Sequence, residues 1–125
     1  EVWGDGTQVR NWTYVGDIVE GLIRSAEKID DGTAVNLGTE ERIRVSDAVR
    51  MVTRLAGYEP KIKFLRDMPT GPLNRVARNR LAKALLGWKP KTNFANGLRQ
   101  TQEWYFRTRR RDQVRLQLAE KLTER

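Results

Sequence analysis

The spacing of apolar residues in the first part of the chain predicts two short extended segments followed by an amphipathic helix. Residues 2–3 and 9–15 read as extended, with a glycine-rich turn at residues 4–6 between them. Apolar side chains then recur three and four residues apart, the spacing of one helix face, and Asp17 stands favourably in the first turn. This face consists of Ile18, Val19, Leu22, Ile23 and Ala26.

The remainder of the chain predicts three more strands and three more helices. The short apolar segments that predict strands are residues 34–38, 43–45 and 61–65. The helical segments are one that Ser46-Asp47 caps and Gly57 ends, one over residues 79–86 with Gly87 as its C-cap, and one from about residue 95 onward. Two prolines and a glycine within residues 66–74 predict a loop. The expected fold class is therefore α/β, with short strands and about four helices.

The last predicted helix divides into two parts. Its apolar residues are interrupted by a basic run at residues 107–111. We therefore expect it to pack on the rest of the domain as far as Phe106, and to continue as an exposed or partner-bound extension. On this basis, residues 1–106 form one domain, and residues 107–125 form a basic C-terminal helical extension.

Charge and composition narrow the possible functions. The 125 residues carry a net charge of +8, but residues 99–125 hold eight basic and four acidic side chains, which is half of the excess. Such a helix favours solvated charge over nucleic-acid binding. The absence of histidine excludes a Ser-His triad and a zinc–histidine site, and the absence of cysteine excludes disulfides and agrees with a cytoplasmic location. No apolar run is long enough to span a membrane.

Five motifs between residue 1 and about residue 106 carry a family resemblance. They are G-D-G-T-Q-V-R-N-W-T-Y-V-G-D at residues 4–17, A-V-N-L-G at 34–38, P-T-G-P-L-N-R at 69–75, A-K-A-L-L-G-W-K-P at 82–90, and G-L-R-Q-T-Q-E-W-Y at 97–105. In order and spacing they resemble the nucleotide-sugar epimerases and dehydratases of the extended short-chain dehydrogenase family. Three positions depart from the family pattern: Asn11 and Arg78 stand where aspartate is usual, and Gly16 replaces a frequent acidic residue.

The resemblance implies that the chain is the C-terminal, substrate-binding part of an NAD-dependent enzyme. The family arginine that matches Arg10 reaches the diphosphate of the nucleotide sugar, and Arg75 is expected to do the same from the other side. Physical chemistry agrees, because a guanidinium is always charged and its planar fork pairs two phosphate oxygens. Asn36 is a third candidate for binding ribose or phosphate, with hydrogen bonding to local backbone as the alternative. No catalytic, cofactor-binding or metal-binding residue is predicted in this chain.

Four aromatic or amide side chains are predicted to serve packing more than ligand binding. Trp88 and Trp104 invite an interpretation as sugar-stacking platforms, but their turn and helix contexts favour burial in the core. Gln8 lies in the first motif and Trp3 directly before it, and we expect both to be structural as well.

Catalysis is expected to reside outside this chain. The family fingerprint G-x-x-G-x-x-G and the Tyr-x-x-x-Lys pair are both missing from the sequence. The NAD(P) cofactor and the hydride chemistry would belong to an N-terminal Rossmann half, and the chain, which has no initiator methionine, is expected to be a piece of something longer. The alternative is a non-catalytic, self-associating fragment that binds anions or a protein partner. A nucleic-acid-binding module is a weaker third interpretation.

The apolar face of the first predicted helix has a consequence for the oligomeric state. In the family this helix is expected to pack against the Rossmann half. Without that half, its apolar face would be open to water, which single chains rarely tolerate over a large area. We therefore expect a homo-oligomer, to which apolar residues at every fourth position of the C-terminal helix also contribute: Val114, Leu118 and Leu122.

Overall fold

The computed structural model describes residues 1–110, 112–115 and 117 and shows an α/β fold within them. The strands are β1 (Val2–Trp3), β2 (Val9–Arg10), β3 (Ile43–Arg44), β4 (Phe64–Leu65) and β5 (Asn74–Arg75). The helices are α1 (Val15–Lys28), α2 (Val45–Leu55), α3 (Arg80–Leu86) and α4 (Phe94–Thr108). Among the described residues, no helix combines the length and the apolar character that crossing a lipid bilayer requires.

The strands pair in two small sheets. One contains β1 and β4 in parallel, and the other has the order β3-β2-β5. In the second sheet β2 runs antiparallel to β3 and parallel to β5. The register places Arg10 beside Ile43 on one side and beside Arg75 on the other. The two arginines predicted to bind a diphosphate are therefore neighbours, although 65 positions separate them in the sequence.

A buried tryptophan joins α1 to the segment that follows α3. Trp88 is 1% exposed, which confirms its predicted place in the core, and it packs with the buried Ala82 and Leu86 of α3. The Trp88 indole Nε1 donates a hydrogen bond to the carbonyl oxygen of Asp17 at 2.9 Å. A Cβ on Gly21 would stand 2.8 Å from a methyl carbon of Leu37 and 3.1 Å from this same nitrogen, so only glycine lets α1 approach so closely.

Charged side chains reinforce the same junction. Glu20 accepts hydrogen bonds from Lys91 at 3.0 Å and from Arg24 at 2.6 Å. The Lys91 hydrogen bond and charge, with help from Arg24, lower the pKa of the Glu20 carboxyl below its usual value. Arg24 and Lys28 also donate to the last carbonyls of α3, where cations are favourable. The predicted C-cap is confirmed, since Gly87 has a φ of 63°.

A short acidic loop fixes the starts of two helices. The Glu41 carboxylate accepts a hydrogen bond from the backbone N–H of Phe94, the first residue of α4, at 2.7 Å. Glu40 accepts from the backbone N–H of Asn79, just before α3, at 3.4 Å. Asn93 completes the α4 cap by accepting from Asn96 N at 2.9 Å. Adjacent residues of one loop therefore position both C-terminal helices.

Three predictions of local structure are wrong. Residues 34–38 do not form a strand, because the chain just after them is held by side chains: Thr13 Oγ1 accepts from Thr39 N, and Asn11 Nδ2 donates to Thr39 O. The predicted strands over 9–15, 43–45 and 61–65 are shortened to two residues each. The helix α2 begins at Val45 without a side-chain cap hydrogen bond, so Ser46 and Asp47 lie inside it.

The end of α4 is more exposed than predicted. Trp104 is 47% exposed and Phe106 63%, so neither lies in the core, and close packing ends before this turn. The Arg109 guanidinium lies 5.6 Å from the centroid of the Trp104 ring, within the range of a cation–π contact. Leu118 and Leu122 lie outside the described residues, and the proposed division at residue 106 stays a prediction.

Two adjacent leucines of α3 provide a test of this core. Leu86 is completely buried, whereas Leu85 is 45% exposed. We expect Leu86→Ala to reduce the free energy of unfolding by about 2–4 kcal/mol, because the substitution removes buried contacts and leaves a cavity. Leu85→Ala should cost less than about 1 kcal/mol. Urea denaturation of both variants measures the difference, and equal costs would contradict the description of the core.

Candidate anion-binding site

Arg10 lies on β2, and its side chain holds the loop that leads into β5. One guanidinium nitrogen, Nη1, donates to the carbonyl oxygens of Val9 at 2.9 Å and Pro72 at 2.7 Å. The other, Nη2, donates to the carbonyl oxygen of Thr70 at 2.9 Å. These bonds satisfy backbone acceptors of a proline-rich loop that has few other partners of its own. Arg10 therefore fixes the path of the chain just before Arg75.

Asn36 and Arg75 face one open cavity of about 430 Å³. Both side chains are exposed, and Asn36 makes no side-chain hydrogen bond within the described part of the chain. Its predicted alternative role, bonding to local backbone, is therefore not what the structure shows. The complete lining consists of Asn11, Asn36, Arg75, Val76, Ala77 and Arg78. The structure thus brings two of the three predicted site residues together, while Arg10 lies beside them in the sheet.

Arg78 is a residue of this cavity that the sequence did not identify as a binding residue. It stands three residues after Arg75, where the family has aspartate, and from the sequence alone the extra positive charge could either add a phosphate contact or mark a lost one. The short segment 75–78 leads from β5 towards α3, and it places both arginines on the lining. The replacement of a family aspartate by Arg78 was the sequence signal that could have identified this residue. Two arginines so close in sequence make the cavity that they line strongly positive.

Asn11, the other substituted position, has a structural consequence. Its Nδ2 donates to the carbonyl oxygen of Thr39 at 3.0 Å and thereby holds the loop that carries Asn36. An ionised aspartate has no N–H and could not donate this hydrogen bond. The amide also leaves the cavity without a negative charge at this place.

The electrostatics of the cavity favour an anion. Its lining contains Arg75 and Arg78 and no acidic side chain. Neither arginine has a side-chain hydrogen bond or an ion pair with another described residue. Two unpaired guanidinium forks and two amides can together donate hydrogen bonds to several oxygens of one anion. The lining has no imidazole or carboxylate to move a proton, so the arrangement is suited to binding.

The Gly4–Gly6 turn does not fit the phosphates of a dinucleotide cofactor. Both glycines have a φ of 77°, but the space beside Gly4 is occupied by the side chains of Thr70 and Gln8. Gln8 is 3% exposed and donates to the carbonyl oxygen of Trp3, which confirms a structural role. The turn also leads into a strand and not into a helix N-terminus, where dinucleotide phosphates are usually held. In the part of the chain that the structure describes, no cluster of acidic side chains could hold a metal ion.

The sequence matches one family model over most of its length. The model described as GDP-mannose 4,6 dehydratase covers residues 1–101. Among curated proteins, the chain is similar to GDP-mannose 3,5-epimerase of Arabidopsis thaliana, with 35% identity over 104 residues, which are 83% of this chain and 27% of the relative. The chain therefore spans about a quarter of the length of this relative.

Solved structures show the same relationship in three dimensions. UDP-glucuronic acid 4-epimerase from Bacillus cereus, in complex with UDP-glucuronic acid and NAD, is 29% identical with a TM-score of 0.70, over 78% of this chain and 32% of the epimerase chain. UDP-glucose 4-epimerase from Thermotoga maritima, with UDP-glucose, is 29% identical with a TM-score of 0.76, over 86% and 35%. Each match covers about a third of the epimerase.

The loop-holding role of Arg10 gives a prediction that needs no ligand. We expect Arg10→Ala to release the carbonyl oxygens of Thr70 and Pro72, so that backbone amides of residues 70–73 exchange their hydrogens faster. Hydrogen exchange followed by mass spectrometry measures this. Arg66→Ala is the matched control, because Arg66 is an exposed arginine nearby without such hydrogen bonds. Unchanged exchange in Arg10→Ala would show that these bonds do not hold the loop.

Proposed function

The chain belongs to the NAD-dependent nucleotide-sugar epimerase/dehydratase family, and we propose that its part in such an enzyme is to bind the diphosphate of the nucleotide sugar. The observation that carries this proposal is the cavity that Asn36 and Arg75 share. It is open, has no acidic lining residue, and presents unpaired arginine side chains. A diphosphate, with charge on each phosphate, is complementary to such a lining.

Each of the three predicted residues has a distinct role in the proposal. Arg75 pairs phosphate oxygens with its guanidinium fork, and Asn36 donates from its amide to a phosphate or a ribose hydroxyl. Arg10 fixes the loop before β5 and so positions Arg75. Its side chain has five N–H donors, of which three are in use, so two are left to reach the same diphosphate.

The cofactor and the reaction belong to other parts of the proposed enzyme. The Bacillus cereus epimerase contains NAD and is about three times as long as the matched segment. We place NAD(P) and the hydride transfer in a Rossmann half outside this chain, because side chains fill the space beside the Gly4–Gly6 turn. The diphosphate is common to epimerase and dehydratase substrates, so the proposal covers isomerase and lyase outcomes alike. A cytoplasmic location stays a prediction from the absence of cysteine.

Replacing Arg75 tests the proposed diphosphate contact. We expect Arg75→Ala to weaken nucleotide-sugar binding by about 1.5–3 kcal/mol, the range for hydrogen bonds to charged groups. Arg75→Lys should recover only part of this loss, because an ammonium has no bidentate fork. Titration calorimetry provides the affinities, with Arg54→Ala on the exposed side of α2 as control.

Two comparisons separate this proposal from its alternatives. Bare nucleotides should bind in the order of their phosphate count, and DNA should bind no more tightly than a simple polyanion. Equal affinity of the wild type and Arg75→Ala for a nucleotide sugar would remove Arg75 from the site. DNA binding that is tighter than all nucleotide binding would favour the nucleic-acid interpretation instead.

The alternative function, a self-associating fragment that binds anions or a protein partner, also has structural support. The side chains of α1 that turn away from the core form an apolar face with exposures between 48% and 67%: Val15, Val19, Leu22 and Ile23. Covering such a face releases water from apolar surface and stabilises the covered state. A Rossmann half of the same enzyme could cover this face, and so could a second copy of the chain.

The oligomeric state of the isolated chain therefore tests whether a second copy covers the apolar face of α1. We expect a dimer or higher oligomer at micromolar concentration, because a two-fold interface lets the same face cover itself. Leu22→Glu, at a position that is 57% exposed, should shift the chain towards monomer in sedimentation equilibrium. Leu73→Glu is the control, since Leu73 is 69% exposed but lies in the loop before β5. A stable monomer unaffected by Leu22→Glu would show that the face does not drive assembly.

A further inference from the structure

A second cavity, which three arginines line, adjoins the cavity of Asn36 and Arg75. The second cavity has a volume of about 500 Å³ and shares Val76, Ala77 and Arg78 with the first. Its remaining lining residues are Glu40, Arg42, Asn74 and Arg80. We call it the arginine cavity, after Arg42, Arg78 and Arg80. Arg78 lines both spaces, so its guanidinium is available to an anionic group in either one.

The three arginines of this cavity form no ion pair with a described residue. Arg42, Arg78 and Arg80 are exposed, and none forms an ion pair or donates a side-chain hydrogen bond within residues 1–110, 112–115 and 117. Glu40 is the one acidic lining residue, and its carboxylate already accepts from Asn79 N. Like charges that share a cavity repel one another, so an anion between them would relieve the repulsion and form charge-assisted hydrogen bonds.

A third cavity next to the arginine cavity has both basic and acidic side chains in its lining. It has a volume of about 530 Å³, shares Glu40 and Arg80 with the arginine cavity and adds Glu41, Lys83 and Lys89. Asn79, 6% exposed, lies on its lining, and its buried Oδ1 has no hydrogen-bond partner in the described part of the chain. Basic side chains therefore line all three cavities, and Glu40 and Glu41 lie among those of the third.

The chemistry of the lining indicates a small polyanion more than a nucleic-acid strand. Single strands are usually bound by aromatic side chains on which successive bases stack. In these three cavities the one aromatic residue is Trp88, which is 1% exposed and offers no ring face. The exposed aromatic side chains of α4 line none of them. A lining that has positive side chains but no exposed aromatic ring is suited to phosphate or carboxylate groups.

We propose that Arg42, Arg78 and Arg80 form an anion subsite that receives a second anionic group, phosphate or carboxylate, of a ligand whose first anionic group is held by Arg75. Arg78 lines both cavities, and its positive charge, at a position where the family has aspartate, favours an anionic group in either. The ligand would then carry more negative charge than the diphosphate of a neutral nucleotide sugar. The position of the first group follows the proposed function, whereas the subsite itself rests on the three arginines.

Pairs of ligands that differ by one anionic group test the subsite. Pyrophosphate and tripolyphosphate form one pair, and UDP-glucose and UDP-glucuronic acid form the other. We expect the wild-type chain to bind tripolyphosphate about tenfold more tightly than pyrophosphate, an effect of the size of one added charge-assisted contact. The double variant Arg42→Gln/Arg80→Gln should lose this preference, while the control Arg54→Gln/Arg66→Gln, with the same change in charge outside the cavities, should retain it. Circular dichroism establishes that each variant is folded.

The second pair identifies the source of the anionic group. A preference for UDP-glucuronic acid over UDP-glucose that the double variant abolishes would assign the subsite to a sugar carboxylate. The same loss for tripolyphosphate alone would assign it to a further phosphate. The inference is overturned if the wild type shows neither preference, or if the double variant keeps the preferences of the wild type.

A failure of the subsite can be told apart from a failure of the proposed function. If Arg75→Ala weakens UDP-glucose binding and the double variant behaves as wild type with every ligand, the subsite is wrong and the diphosphate contact stands. If Arg75→Ala has no effect and the double variant loses tripolyphosphate selectivity, the subsite stands and the proposed contact is wrong.

Discussion

The hydrogen bonds from the Arg10 guanidinium to the carbonyl oxygens of Thr70 and Pro72 are the interaction on which the candidate site depends. They connect β2 to a loop about 60 positions later in the sequence and align β5 beside β2. A strand of two residues has few hydrogen bonds of its own, so this side-chain contribution sets the path of β5. The position of Arg75, and through it that of Arg78, follows from that path.

The opposite wall of the cavity is also built from side-chain contacts to an irregular segment. Asn11 and Thr13, which follow β2, hold Thr39 through one hydrogen bond each. Glu40 and Glu41 then reach the starts of α3 and α4. One short stretch after β2 therefore positions Asn36 and, through the acidic loop, both C-terminal helices. An irregular backbone can be as well defined as a strand where side chains satisfy its polar groups.

Much of the helical structure and one part of the core could be predicted from the sequence, because these depend on local patterns. The apolar periodicity of α1, the Gly87 cap of α3 and the burial of Trp88 are examples. The exposure of Trp104 could not be predicted, since an apolar residue on a helix face is buried only if another element covers it. The motifs indicated Asn36 and Arg75. They did not indicate that Arg10 donates to loop carbonyls or that Arg78 lines the cavity, because both depend on long-range strand pairing that no local pattern contains.

Binding of a diphosphate in the cavity of Asn36 and Arg75 is tested most directly by chemical-shift mapping with NMR. A chain labelled with ¹⁵N would be titrated with a nucleotide-diphosphate sugar, and separately with NAD. The account predicts that the sugar nucleotide produces its largest shifts at the Asn36 side-chain amide and the backbone amides of residues 75–78, with little change at the Trp104 indole, and that NAD produces no comparable pattern. Largest shifts at Trp104, or no shifts around Asn36 at saturating ligand, would contradict it.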